Sequence, residues 1–174
     1  PSLIRQYSGC SRSQVQPGAS CGSEKLSWNT GCSAWPVCAS QDTKKDAADL
    51  HAAGVAVVFG VIVGTGTGGG IVVDGKPVTG PNGIAGEWGH NPLPWPEPDE
   101  LPGPGCYCGR TGCIETWLSG PGLANDYLQA TGDSVESVEI ARRARHGETA
   151  AQASLARHAD RMARALAGVI NIVD

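Results

Sequence analysis

Cys106-Tyr107-Cys108-Gly109-Arg110-Thr111-Gly112-Cys113-Ile114-Glu115 gathers three thiols into one short, turn-rich segment, and His90 stands upstream across a spacer of prolines, glycines and acids. Thiolate and imidazole are the donors Zn²⁺ prefers, and four of them closing a tetrahedron make a structural site rather than one with an open water position. His90, Cys106, Cys108 and Cys113 are therefore the candidate ligands of a structural zinc ion. Disulfides or unrelated buried thiols are the competing reading, since the chain has seven cysteines. Against it, Cys106 and Cys108 are separated by one residue, too close for an unstrained mutual disulfide. Gly109 and Gly112 permit the sharp turns that bring Cys113 back to the same point, and His90 would close a surface loop onto the ion.

Upstream of this region, Val55 to Val63 is an apolar, β-branched run that predicts a buried strand. Ile71–Val73 and Lys76–Val78 flank Asp74-Gly75, a favoured two-residue hairpin turn. Between the strands lies Gly64-Thr65-Gly66-Thr67-Gly68-Gly69-Gly70. Its glycines at 64, 66 and 69 match the dinucleotide-binding pattern in form, but that pattern requires a helix directly after the loop, and here a strand follows. What remains is a row of backbone N–H groups with hydroxyls at Thr65 and Thr67, able to wrap phosphate oxygens; the alternative is an ordinary glycine-rich hairpin.

Downstream, Ser119 caps a helix that carries Pro121 in its first turn, shows Leu123, Tyr127 and Leu128 on its apolar side and ends before Gly132. A second helix is expected over 137–146, stopping at Gly147. A long amphipathic helix then sets Ala151, Leu155, Ala159, Met162 and Leu166 on one stripe, leaving Arg157, Arg161 and Arg164 as a solvated face. His146 and His158 read as surface helix residues. Glu87 and Glu115, taken alone, are surface or helix-start acids; beside the candidate ligands they become candidates for function.

Composition bounds the rest. The 174 residues can form one domain or part of a larger enzyme. A net charge of −4 leaves no basic footprint for nucleic acid. Neither an apolar run long enough to span a membrane nor a secretion leader is evident, so a cytoplasmic protein is expected, in which cysteines serve metals or chemistry. Residues 1–50, with Cys10, Cys21, Cys32 and Cys38, lack apolar periodicity and differ in character from 51–174.

Three motifs in order carry a resemblance: Gly64-Thr65-Gly66-Thr67-Gly68-Gly69-Gly70; then Gly83-Ile84-Ala85-Gly86-Glu87-Trp88-Gly89-His90-Asn91-Pro92-Leu93-Pro94-Trp95; then Cys106 to Trp117. Together they resemble the ROK family of repressors and sugar kinases, and the Glu87–Trp95 stretch resembles its fructokinase or mannofructokinase branch. The similarity covers 55–174. It implies an α/β, actin-like and ribonuclease-H-like ATPase fold, here incomplete and carrying a zinc-binding loop, and an enzyme transferring phosphate from ATP with Mg²⁺ to a hexose, most readily fructose. By matching position, Thr65, Gly66, Thr67, Gly68, Gly69 and Gly70 would bind ATP. Glu87, His90 and Glu115 would approach the sugar, and His90, Cys106, Cys108 and Cys113 would hold the zinc. Relatives are commonly homodimers.

The resemblance also implies parts that this sequence does not show. Relatives open with an Asp-Gly-Gly-Thr phosphate hairpin and continue beyond the long helix through a strand and a glycine-rich turn. Their general base is the aspartate of an Asn-Asp motif, whose expected place falls near Val37-Cys38, where no carboxylate stands. Asp42, Asp46 and Asp49 lack a preceding asparagine, and Asn125-Asp126 lies after the metal region and reads as structural, so the catalytic residue is unassigned. A shifted reading frame over 1–50 would explain the break in resemblance, and re-sequencing the coding DNA tests it. Two further readings keep the same residues: a non-catalytic sugar sensor or repressor fragment, and a zinc-stabilised binding module with a merely structural glycine loop.

Overall fold

A computed structural model of the chain describes residues 6–8 and 54–173. The anomalous segment 1–50, its four cysteines, the Val37-Cys38 position and the three aspartates at 42, 46 and 49 lie outside the described residues, apart from the short strand β1 (Gln6–Ser8). This strand pairs in parallel with β2 (Val57–Val63), Gln6 opposite Val61. β2 runs antiparallel to β3 (Thr67–Val73), and β3 to the short β4 (Lys76–Pro77), giving the sheet order β1-β2-β3-β4. The β3–β4 turn is Asp74-Gly75 as expected, both residues at positive φ, 49° and 72°, which matches the twist of the strands it joins.

The second strand begins earlier than expected. Thr67 to Gly70, read above as part of an open loop, already pair with Val63 to Gly60, so the connection shrinks to Gly64–Gly66. The cause is on the far edge of β3, where the segment containing Gly86 and Gly89 packs backbone to backbone. A Cβ on Gly89 would lie 1.9 Å from the Thr67 carbonyl oxygen, and one on Gly86 would lie 2.7 Å from the Gly70 Cα. Such contact leaves no room for a side chain on Gly86 or Gly89.

Four α-helices follow the site loops: α1 (Ile114–Leu118), α2 (Gly120–Thr131), α3 (Ser137–Arg145) and α4 (Thr149–Val173). Ser119 caps α2 by accepting from the Gly122 N–H at 3.1 Å, as its sequence predicts. The N-terminal half of α4 packs on α2 and α3 through Leu123, Tyr127, Ile140, Ala144 and Ala151. Its C-terminal half, with Met162 and Ala165, packs under the sheet and the site loops, against Val61, Trp88, Leu93, Ile114 and Leu118. One long helix thus joins two apolar clusters, and the site stands on the second. Among the described residues no helix is long and apolar enough to cross a membrane.

The arginine face of α4 is the main departure from the sequence reading. Ala159, placed on the apolar stripe above, is exposed, whereas Arg161 is 5 % exposed. Arg161 donates to Glu100 (2.7 Å) and Asp126 (2.7 Å) and lies 4.4 Å over the Trp117 ring. Arg164 donates to both Glu100 oxygens and to the Trp95 carbonyl, and Arg157 makes a two-pronged bond to Asp126. The spacer between His90 and Cys106 is therefore pinned to α4 at Glu100, itself 6 % exposed, and Asp126 of the Asn125-Asp126 pair is structural as expected. Burial works to raise the Glu100 carboxyl, but hydrogen bonds from Arg164, Arg161 and the Glu97 N–H outweigh it and hold the group at about 2.

Replacing Glu100 by Gln leaves a buried guanidinium half-compensated and is expected to cost about 3 kcal/mol, read by denaturant unfolding at pH 7. The depressed carboxyl contributes its stability in full above its ordinary value of 4.5 and loses it as pH falls towards 2. Wild type and Glu100→Gln should therefore converge in stability across that window, and a constant gap would contradict the assignment.

Candidate functional site

Two segments build the site by crossing at Pro92 and Cys113, which form an antiparallel bridge. Around that crossing, Leu93 N–H donates to Gly112 O and Ile114 N–H to Asn91 O, locking the strand after His90 to the turn that carries Cys113. A second bridge pairs Gly105 with Thr111, while Cys106 N–H donates to Arg110 O and Gly109 N–H to Cys106 O. Gly109 and Gly112 hold φ of 86° and 67°, the left-handed turns expected of them.

This frame brings together all four expected metal donors. One donor atom each from His90, Cys106, Cys108 and Cys113 lies within 4.8 Å of the others. His90 Nδ1 is 3.5 Å from Cys106 Sγ, and Cys108 Sγ is 3.6 Å from Cys113 Sγ. A tetrahedral ion with bonds of about 2.0–2.3 Å sets its donors roughly 3.3–3.8 Å apart, so these pairs fit its edges. Burial first, and then the neighbouring Cys108 and Cys106 sulfurs, push the Cys113 thiol up to about 12, while the backbone at Arg110 lowers Cys108. Three thiols this close disfavour joint ionisation, and a cation between them would relieve that repulsion.

The carboxylates Glu87 and Glu115 flank this cluster. Burial raises the Glu87 carboxyl; His90 opposes the rise and Glu115 adds to it. Glu115 lies in the first turn of α1, two residues after the last cysteine, and its Oε2 accepts from the Thr67 N–H at 3.1 Å. Gly66 leaves room for that carboxylate, since a Cβ there would lie 2.5 Å from Oε2. The glycine hairpin and the cysteine turn are thereby tied through one side chain.

The six hairpin residues do not form a single cradle. Gly64 N–H closes on Gly66 O, and Asp74 N–H on Ala56 O. Antiparallel alternation between these points turns the N–H groups of Gly68 and Gly70 towards β2 and those of Thr67 and Gly69 to the other edge. Thr65 at the tip is exposed, whereas Thr67 is 4 % exposed and its hydroxyl finds no partner among the described residues.

Two features escaped the sequence. Tyr107, between the first two cysteines, places its hydroxyl 2.9 Å from His90 Nε2, with the rings edge-to-face at 5.0 Å. Its phenol is raised by partial desolvation first, then by Glu115, Cys106 and Glu87. His158, expected at the surface, has a buried Nδ1 without a partner among the described residues and is held below its ordinary pKa by burial; the exposed His146 accords with its reading.

The ROK family profile matches residues 26–174. The chain belongs to the ROK family. An N-acetyl-D-glucosamine kinase of Pectobacterium carotovorum is 42% identical over 122 residues, covering 68% of this chain and 40% of that protein. The structure also superimposes on a ROK hexokinase from Thermus thermophilus (TM-score 0.62, 30% identity, 74% of this chain and 42% of that one). A ROK glucokinase from Streptomyces griseus in complex with glucose and AMPPNP gives a TM-score of 0.59 at 30% identity, over 70% and 42% of the two chains. The chain thus has the expected α/β, actin-like fold in part and spans about 40% of the length of the curated relative. The profile reaches upstream to residue 26, further than the resemblance legible in the motifs.

Gly89→Ala should be among the most damaging small substitutions in this region. The added methyl meets a carbonyl oxygen that belongs to a paired strand, and overpacking of this kind costs about 1–3 kcal/mol. Urea unfolding of Gly89→Ala beside Gly105→Ala, where a Cβ meets nothing within 4 Å, checks this; equal stability of the two would refute the close packing.

Proposed function

We propose that this chain is the sugar-binding and metal-binding part of a ROK hexose kinase, with Glu87, His90 and Glu115 directed at sugar hydroxyls and Zn²⁺ held by His90, Cys106, Cys108 and Cys113. The observation that carries this reading is the hydrogen bond between Glu115 and the Thr67 N–H. It couples the residue next to the metal cluster to the hairpin expected to meet ATP. Sugars offer only hydroxyls, so recognition requires several fixed donors and acceptors, and an ångström of misplacement loses the geometry for attack. Glu87 and Glu115 supply acceptors, His90 Nε2 supplies a ring nitrogen, and the crossing at Pro92 and Cys113 keeps the three in register.

Zinc has a structural part in this scheme: it joins the segment before the spacer to the turn after it. Residues Thr65 to Gly70 remain our candidates for contact with ATP and Mg²⁺, with the exposed Thr65 tip foremost, because the N–H groups of Gly68 and Gly70 face β2. Phosphoryl transfer in such a kinase needs a carboxylate to take the sugar hydroxyl proton as its oxygen attacks the γ-phosphate. None of the described carboxylates is assigned that role. Among hexoses, the Glu87–Trp95 motif favours fructose and the curated relatives favour N-acetyl-D-glucosamine.

Metal analysis of the purified chain should find one zinc per molecule, lost in Cys108→Ser, and chelation should lower Tm. Calorimetry on the zinc-loaded chain with fructose, glucose and N-acetyl-D-glucosamine then decides the sugar. Zinc without binding of any sugar favours the stabilised module; sugar without nucleotide binding favours the sensor. Because no carboxylate occupies the expected base position, a coupled ADP-release assay with Mg-ATP and each sugar should show no turnover by this chain, and turnover would overturn that expectation.

A further inference from the structure

His90 has two ring nitrogens and both are engaged. Nδ1 faces the thiols, 3.5 Å from Cys106 Sγ, and Nε2 faces the Tyr107 hydroxyl at 2.9 Å. For Nδ1 to act as a metal donor its lone pair must be free, which places the ring proton on Nε2, where Tyr107 Oη accepts it. The tyrosine thus sets the tautomer that the cluster needs. Its own anchorage is slight: the residue is 80 % exposed and meets His90 edge-to-face, although its hydroxyl lies within range of the charges of Glu87 and Glu115. A side chain that is mostly in solvent but sets its one polar atom 2.9 Å from His90 Nε2 occupies the position an external hydroxyl would take there.

We propose that Tyr107 is a positioning residue that holds His90 Nε2–H in the ligand-free site and hands it to an incoming sugar hydroxyl, which takes the place of its own. The first half of this proposal concerns the chain and its metal alone; the second rests on the sugar-binding reading above. Displacement exchanges one O-acceptor for another at Nε2, so the tautomer and the Nδ1 donor are preserved throughout. The exposed ring can swing into solvent at the cost of about one ordinary hydrogen bond.

Tyr107→Phe keeps the ring and removes only the hydroxyl. With zinc alone, competition against a chromophoric chelator should show affinity about ten-fold weaker in the variant, and ¹⁵N-histidine spectra should show an Nε2–H protected from exchange in the wild type and unprotected in the variant. Unchanged affinity and protection would overturn the positioning role, whereas a merely structural role would move Tm without moving that proton. Fructose and N-acetyl-D-glucosamine are then titrated into ring-labelled wild type, whose three tyrosines make the Tyr107 signal assignable by its loss in the variant. The expected result is a shift of that signal on saturation and sugar binding about five-fold tighter in Tyr107→Phe, as removal of an internal competitor requires. Sugar binding with a stationary Tyr107 signal and equal affinity would overturn the hand-over alone. Failure of both sugars to bind would overturn the hand-over together with the proposed sugar site, leaving the zinc result to stand separately.

Discussion

The backbone of β3 and the segment from Gly86 to Gly89 approach so closely that no side chain fits between them, and the rest of the site is built on that contact. Through it, Trp88 is driven into the core, edge-on to Phe59 at a centroid distance of 5.5 Å, while Glu87 and His90 on either side remain half-buried. The same approach brings the start of β3 within reach of α1, so that Thr67 can donate to Glu115. Four glycines do not simply loosen this region; they allow two strands of main chain to act as a rigid wall.

Much of this was legible from local chemistry. A serine cap before Pro121, Asp-Gly between apolar runs, and cysteines separated by one residue each carry their own geometry, because the constraint lies within a few residues. The clustering of His90 with the three cysteines was legible for the same reason, three of the four lying on one turn. The second half of the glycine run was read as loop and not as strand because its packing partner, Gly86 and Gly89, lies elsewhere in the sequence, and a glycine that packs looks the same on paper as a glycine that flexes. Arg161 was misread because its partners, Glu100 and Asp126, stand 61 and 35 residues away; helical periodicity assigns a charged residue to water unless the counter-charges can be seen. Tyr107 left only a faint signal, an aromatic residue on a turn where small or polar ones suffice.

The ion network holds the middle of the spacer, and the candidate metal donors His90 and Cys106 stand at its two ends. In the middle, Arg161 and Arg164 grip Glu100, and Arg164 also takes the carbonyl of Trp95, whose φ of 47° is unusual for a bulky residue. At the ends, His90 and Cys106 face each other across 3.5 Å. Buried ion pairs gain little stability over apolar packing, but they tolerate few arrangements, and a spacer crowded with prolines has few of its own.

That anchorage changes what binding an ion asks of the chain. Joining His90 to Cys106 would ordinarily close a flexible loop and cost configurational entropy that grows with its length. Here the loop is already interrupted by the bridge at Pro92, by Glu100 on α4 and by the bridge at Gly105, so most of that entropy has been surrendered before a metal arrives. Small zinc modules spend their binding energy on folding; here the four side chains already stand near the spacing of a tetrahedral site, so an ion bound there as proposed would have little folding to do.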